Sequence, residues 1–255
     1  MKNTLYLPPE WANKPGNVHA YTTLRSGSAE PSDSLHFSCY GEFNLATHVD
    51  DDLQAVESNR QQLIKDLDLP SLPVWLDQIH SNNVICVSKN SQPKQVLPQA
   101  DAAYSKTKNV VCAVLTADCV PVFFCNQSGT EVAVAHAGWR GLHAGILRKT
   151  VESMESPAAK IIVYLGPAIG PQSFEVGDEV FQVFTEKDSN NKAAFTRSKK
   201  NHYLCDIYQL ARIELQSMRV GHIDGGDFCT YTDNRFYSYR RQNVTGRMAS
   251  LIWLE

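Results

Sequence analysis

The chain of 255 residues contains no stretch approaching the roughly 20 consecutive apolar residues that a membrane-spanning helix needs. It also lacks the unbroken apolar segment of an export signal, because Pro8, Pro9, Glu10 and Pro15 interrupt the opening residues. There is no excess of basic charge: the formal net charge is -3, and no long Lys/Arg run is present to track a phosphate backbone or an anionic bilayer. Nucleic acid and membranes are therefore not expected as partners, and the expected location is the cytoplasm. No CxxC pair occurs among the seven cysteines (39, 86, 112, 119, 125, 205 and 229). An odd number of scattered thiols argues against a disulfide framework and for reduced, mostly packed side chains. Finally, no Pro/Gly/Ser-rich linker, repeat or low-complexity tract divides the sequence, so a single domain over residues 1–255 is expected.

What is present is enough apolar material, 43% of the residues, for a chain of this length to bury a substantial core. Short β-branched runs bounded by turn residues predict strands at Val18 to Thr23, Val74 to Gln78, Val84 to Val87, Val110 to Thr116, Glu131 to Ala135 and Lys160 to Leu165. Helical spacing places Leu142, Ile146, Leu147, Val151 and Met154 on one face, and Leu204, Ile207, Leu210, Ala211 and Leu215 on another. A further helix is expected over Asp51 to Leu67. The polar stretch Lys187 to Asn201 predicts an exposed connector, with a lid over a site as the alternative. An α+β fold follows, with strands outnumbering helices.

The segment Thr116 to Gly141, TADCVPVFFCNQSGTEVAVAHAGWRG, reads as strand, turn, strand and helix start. The turn residues Asn126, Gln127, Ser128 and Gly129 centre the connection between Gln127 and Ser128, which sets Cys119 opposite His136. Directly opposed side chains lie roughly 4.5 to 5.5 Å apart at Cβ, close enough to share one metal ion. Pro121, which donates no ladder hydrogen bond, predicts an edge strand or a bulge that would move this register. Thiolate and imidazole together suit zinc, and a catalytic zinc takes three protein ligands. His80, after the apolar PVWLDQI and before the turn residues Ser81, Asn82 and Asn83, is the candidate third ligand; an isolated His or Cys at a strand end is otherwise a packed or surface residue. His143 lies a helical turn further on and leads away from His136, while His19, His36, His48, His202 and His222 are assigned to structure or surface. Gly138 and Gly141 in AHAGWRG permit close backbone approach at a helix start, where free N–H groups attract anions, and Arg140 adds positive charge there; packing of small residues beneath Trp139 is the competing reading. Arg25 and Arg240 or Arg241 are further candidate anion ligands.

Taken together, DQIH, ADAAYS, TADCVPV, AHAGWRG, YLGPAIGPQSFEVGDEV, CTYTDNRFYSYRR and TGRMASLIWL strongly resemble, in order and from about Val18 to Leu254, the laccase-domain (YfiH-type) family of purine nucleoside phosphorylases. The resemblance implies metal ligation by His80, Cys119 and His136, and places Arg25, Asn44, Gln78, Asp118, Arg140 and Arg240 near the pocket. It also implies two central sheets flanked by helices. Ser81, Ala46 and the stretch after Arg25 depart from the family's glycine-rich pattern, which affects the N-terminal rim and leaves the ligands intact.

The function implied is phosphorolysis of purine nucleosides (adenosine, inosine, guanosine and methylthioadenosine) by inorganic phosphate, with adenosine deamination through a metal-activated water as a companion activity. Arg140 would orient the anion, Asp118 is the candidate group to protonate the leaving base, and zinc is preferred to copper. A monomer or weak homodimer is expected. Three alternatives differ in class. One is a hydrolase editing peptidoglycan precursors, in which Cys119 is a nucleophile activated by His80 or His136. Another is a copper polyphenol oxidase, disfavoured by eight scattered histidines. The last is a protein that only binds a metal or a partner.

Overall fold

The computed structural model describes residues 5–26, 39–89 and 96–255. The chain runs through β1 (Tyr6–Leu7), β2 (Val18–Thr23), α1 (Leu53–Asp66), β3 (Val84–Cys86), β4 (Ala102–Ser105), β5 (Cys112–Thr116), β6 (Val120–Asn126), β7 (Val132–Ala137), α2 (Trp139–Ala144) and α3 (Ile146–Ser153). It continues through β8 (Ile161–Leu165), β9 (Glu175–Gly177), α4 (Asp178–Lys187), β10 (Phe195–Lys199), β11 (His202–Cys205), α5 (Ile207–Ser217), β12 (His222–Gly225) and β13 (Met248–Leu254). The fold class is α+β, with layered sheets flanked by helices.

Two large sheets form the centre. One has four strands in the order β1-β2-β13-β5, the other six in the order β12-β8-β6-β7-β4-β3. β6 and β7 are buried along their whole length, because both faces of their sheet are covered and neither face needs polar side chains. Parity sorts the residues of β6: Val120, Val122 and Phe124 point into the core shared with α2, α3, α4 and α5, whereas Phe123 and Cys125 point at Val18, Cys112, Val114 and Ile252 of the four-stranded sheet. The far face of that sheet, Ala113, Leu115, Leu251 and Trp253, is closed by Phe43 and Leu45 from the preceding loop and by Leu63 of α1. Helix, sheet, sheet and helix layers result. Each buried Val, Leu, Ile or Phe contributes about 1.5–3 kcal/mol, so a core of this extent does not depend on a bound ion to fold.

Local signals set the helix ends. The Asp52 carboxylate accepts from the Gln54 N–H at 2.9 Å and starts α1, and Asp206 does the same for α5 through the Gln209 N–H at 2.9 Å; such caps contribute about 1 kcal/mol each. The helical face expected from Leu142 to Met154 is divided into α2 and α3 by Gly145, whose φ of +87° no continuous helix accommodates.

Several expectations are corrected. Lys187 to Asn201 is not a simple exposed connector: it closes α4, makes a 3-10 segment (Ser189–Ala194) and forms β10. Asn191 and Ala194 are buried there, and Phe195 packs edge-on against Phe181, with ring centroids 5.4 Å apart. A few side chains in a polar stretch hold this segment down. Leu204 lies in β11 rather than on the following helix. The run Val74 to Gln78 makes only isolated bridges, Val74 to Cys112 and Asp77 to Gln99. The two central sheets expected are both present, and a third, small sheet in the order β10-β11-β9 accompanies them. Among the described residues no helix is long and apolar enough to cross a membrane.

Candidate metal centre

The link from β5 to β6 carries the chain from one large sheet to the other, and Cys119 sits on that link. His136 is the next residue after Val132 and Val134 on the face of β7 that looks across to the four-stranded sheet, so the mouth of the gap between the sheets holds both. His80 arrives from the loop before β3. The potential ligand atoms of His80, Cys119 and His136 all lie within 4.8 Å of one another. His136 is buried, Cys119 half-buried and His80 exposed, giving a cluster open on one side. Two donors depend on unusual backbone: His80 has φ +58°, and Asp118, just before Cys119, has φ +87°. Left-handed conformations of such residues cost free energy and recur at functional sites.

Cys119 reaches His136 by a different register from the one expected. In the ladder Pro121 opposes His136 and Val120 opposes Ala137, a shift of two residues that keeps every side chain on its face. The reason lies in the turn. The Asn126 carboxamide oxygen accepts from the N–H groups of Thr130 and Glu131 at 2.8 and 3.2 Å, and Gly129 adopts φ +64°, which moves the turn along the chain. β6 is moreover an interior strand, with Pro121 one residue before its register with β8 begins and needed there only as an acceptor, its carbonyl taking the Gly166 N–H at 2.8 Å. Cys119 consequently comes beside Gly138, and that glycine is necessary: a Cβ there would stand 2.7 Å from the Cys119 sulfur and 3.1 Å from the His80 ring.

The electrostatics suit a metal. Burial pushes the Cys119 thiol up, but the charge and hydrogen bonds of His136 and His80 outweigh it and bring the thiol down to about 6. Burial pulls His136 down, and the Cys119 thiolate with the Asp101 hydrogen bond reverses this to about 9. Each partner thus favours the charged form of the other, and the lowered thiol favours the thiolate form in which a cysteine binds a metal. One soft thiolate and two imidazoles fit zinc and leave a coordination position for water or substrate.

The trio borders a cleft of about 530 Å³. Of the residues expected near a pocket, Gln78, Asp118, Arg140 and Arg240 line it. The Gln78 amide is engaged with the edge of β5, accepting from the Leu115 N–H at 2.7 Å and donating to its carbonyl at 2.8 Å. Arg140 stacks on Trp139, 4.4 Å from the ring centroid. Asp118 holds two partners: one oxygen accepts from the Thr230 hydroxyl and the other from the Arg240 N–H, both at 2.6 Å, tying the segment after β12 to the cluster. Arg241, by contrast, clamps loop carbonyls such as Thr230 O at 2.8 Å. Arg25 and Asn44 are not among the described residues lining the cleft. The Arg25 guanidinium lies 5.9 Å over the Tyr237 ring, and the Asn44 carboxamide oxygen accepts from the Arg247 N–H at 3.0 Å.

Sequence reasoning missed His48, Tyr239 and Arg247 in the cleft wall, and Asp101 behind the ligands. His48 carried no signal of its own in a polar turn. Asp101 did: a carboxylate amid the small apolar residues of ADAAYS must be paired if it is buried.

Residues 19–255 match the family described as multi-copper polyphenol oxidoreductase laccase. The chain belongs to this laccase-domain, YfiH-type family. Purine nucleoside phosphorylase YfiH of Escherichia coli is 49% identical over 251 residues, covering 97% of this chain and 98% of that protein. A purine nucleoside phosphorylase of Haemophilus influenzae is 43% identical and covers 98% of this chain and 99% of its own. Among solved structures, Neisseria meningitidis protein NMB0706 superposes with a TM-score of 0.89 at 41% identity, covering 99% of this chain and 100% of that one. YlmD of Geobacillus stearothermophilus does so with 0.82 at 28% identity, over 94% and 93% of the two chains. Laccase-domain membership agrees with the motifs quoted above.

Proposed function

We propose that this chain is a zinc-dependent purine nucleoside phosphorylase that acts on adenosine, inosine, guanosine and methylthioadenosine with inorganic phosphate, and that deaminates adenosine. The observation that carries this reading is the location of the His80, Cys119 and His136 donors on the wall of a 530 Å³ cleft that also presents Trp139, Phe174, Tyr239 and three arginines. The aromatic rings suit a purine face. Arg140, Arg240 and Arg247 suit a phosphate, and charge-assisted hydrogen bonds orient such an anion for attack on the ribose anomeric carbon as the purine leaves. Zinc, when bound, supplies Lewis-acid polarisation and water activation. Asp118, with both oxygens engaged, acts in this scheme by holding the Arg240 segment. Only two histidines belong to the donor cluster found among the described residues, which favours a single zinc over a multicopper oxidase site.

The phosphorylase reading is tested by incubating purified protein with inosine, with and without phosphate, and measuring hypoxanthine. Phosphate-dependent release is expected, and its absence with every nucleoside named would overturn the reading. A second reading has support from the depressed Cys119 thiol, which in a metal-free site is a nucleophile for hydrolysis of peptidoglycan precursors. Stoichiometric zinc in protein purified without chelators would exclude it.

A further inference from the structure

We infer that Asp101 is the positioning residue of the donor cluster: one carboxylate that fixes the His136 ring and the left-handed His80 backbone together. This rests on reading the trio as metal ligands and goes beyond it, because Asp101 touches neither a metal position nor the cleft. Its side chain has no exposure. Oδ1 accepts from the His80 N–H at 3.0 Å and meets His136 Nδ1 at 2.9 Å. Oδ2 accepts from the Ser81 N–H at 2.5 Å and from the Ser81 hydroxyl at 2.7 Å. The Asp101 carbonyl also receives the His136 N–H at 2.7 Å.

The arrangement is a satisfiability argument. A carboxylate has four lone-pair positions and no proton to donate, and here each oxygen takes two partners. Its partner at Nδ1 must then be an N–H, which leaves His136 Nε2 as the ring nitrogen turned to the cluster. The same carboxylate stabilises φ +58° at His80 by holding the amides of His80 and Ser81. An asparagine in this place fails in either orientation. With its NH₂ at Oδ1 it faces the His80 N–H and drives His136 to the Nε2–H tautomer; with its NH₂ at Oδ2 it faces the Ser81 N–H.

The test uses the full chain, zinc as the probe, and readouts other than turnover. Imidazole ¹⁵N spectra of wild-type protein, metal-free and zinc-loaded, are expected to show His136 protonated at Nδ1, with Nε2 the metal-bound nitrogen. Chelator competition should show zinc affinity of Asp101→Asn reduced about 10- to 100-fold, as for loss of a partner behind a metal ligand, with Ser81→Ala, which removes one of the four donors, affected less. Circular dichroism and thermal melting of the zinc-free variants separate this from unfolding. If Asp101→Asn fails to fold, the wild-type spectra still decide. Nδ1 coordination, an unprotonated Nδ1, wild-type zinc affinity in folded Asp101→Asn, or a wild-type protein that takes up no zinc would each overturn the assignment. Loss of phosphorolysis with these results intact would count only against the phosphorylase reading.

Discussion

Gly138→Ala isolates the space that the donor cluster requires. Gly138 has φ -73° and ψ 166°, a conformation open to alanine, so backbone strain does not contribute. The added Cβ would stand 2.7 Å from the Cys119 sulfur and 3.1 Å from His80 Cδ2, against ordinary contacts of 3.4 Å or more. The sulfur must retreat by about 0.7 Å to reach 3.4 Å, several times the ±0.2 Å within which metal–ligand distances are held. The cost to the metal-free fold is modest, about 1–3 kcal/mol for overpacking, because the thiol side chain can turn away. Zinc affinity should fall by at least 100-fold, as for removal of a ligand. Zinc per chain by elemental analysis, affinity by chelator competition, and melting of the metal-free protein would be compared with wild type. Wild-type zinc affinity in a folded Gly138→Ala protein would refute the three-ligand geometry.

Cys119→Ala should lose zinc and turnover together while remaining folded, whereas Cys125→Ala, fully buried in the inter-sheet core, should keep zinc and lose about 1–2 kcal/mol in denaturant unfolding; zinc loss in Cys125→Ala alone would contradict the ligand set. In metal-free protein, Cys119 should react with iodoacetamide increasingly as pH rises through about 6, below its usual 9.0, because the depressed group is thiolate above that value, and zinc should protect it. Cys125, pushed up to about 12 by burial, should stay unreactive over the same range, and mass spectrometry of the labelled sites would show an inverted order if the electrostatic reasoning fails. Asp118→Asn weakens a charge-assisted bond worth about 1.5–3 kcal/mol to the Arg240 segment and should raise the phosphate KM about 10- to 100-fold with zinc retained; loss of kcat and of one limb of its pH profile at unchanged KM would instead assign Asp118 as the proton donor.

The sequence by itself determined the elements that depend on neighbours along the chain. β2 was legible to the residue from Val18 to Thr23, because β-branched residues between turn formers carry a local signal, and α1 and most of α5 were legible from helical spacing. The grouping of His80, Cys119 and His136 was legible too, from the symmetry of the hairpin and from the motifs DQIH, TADC and AHAGWRG that carry the three side chains. Tertiary structure decided the rest. Whether Cys119 opposes His136 or Gly138 was settled by the Asn126 side chain gripping the turn at Thr130 and Glu131, a contact that run lengths do not encode. The small sheet of β9, β10 and β11 depends on strands brought from separate parts of the chain, with Phe195 in a polar stretch packing against the helical core. Asp101 reads locally as one acid among alanines; only folding, which brings His80, Ser81 and His136 around its two oxygens, gives that buried charge the four donors it needs.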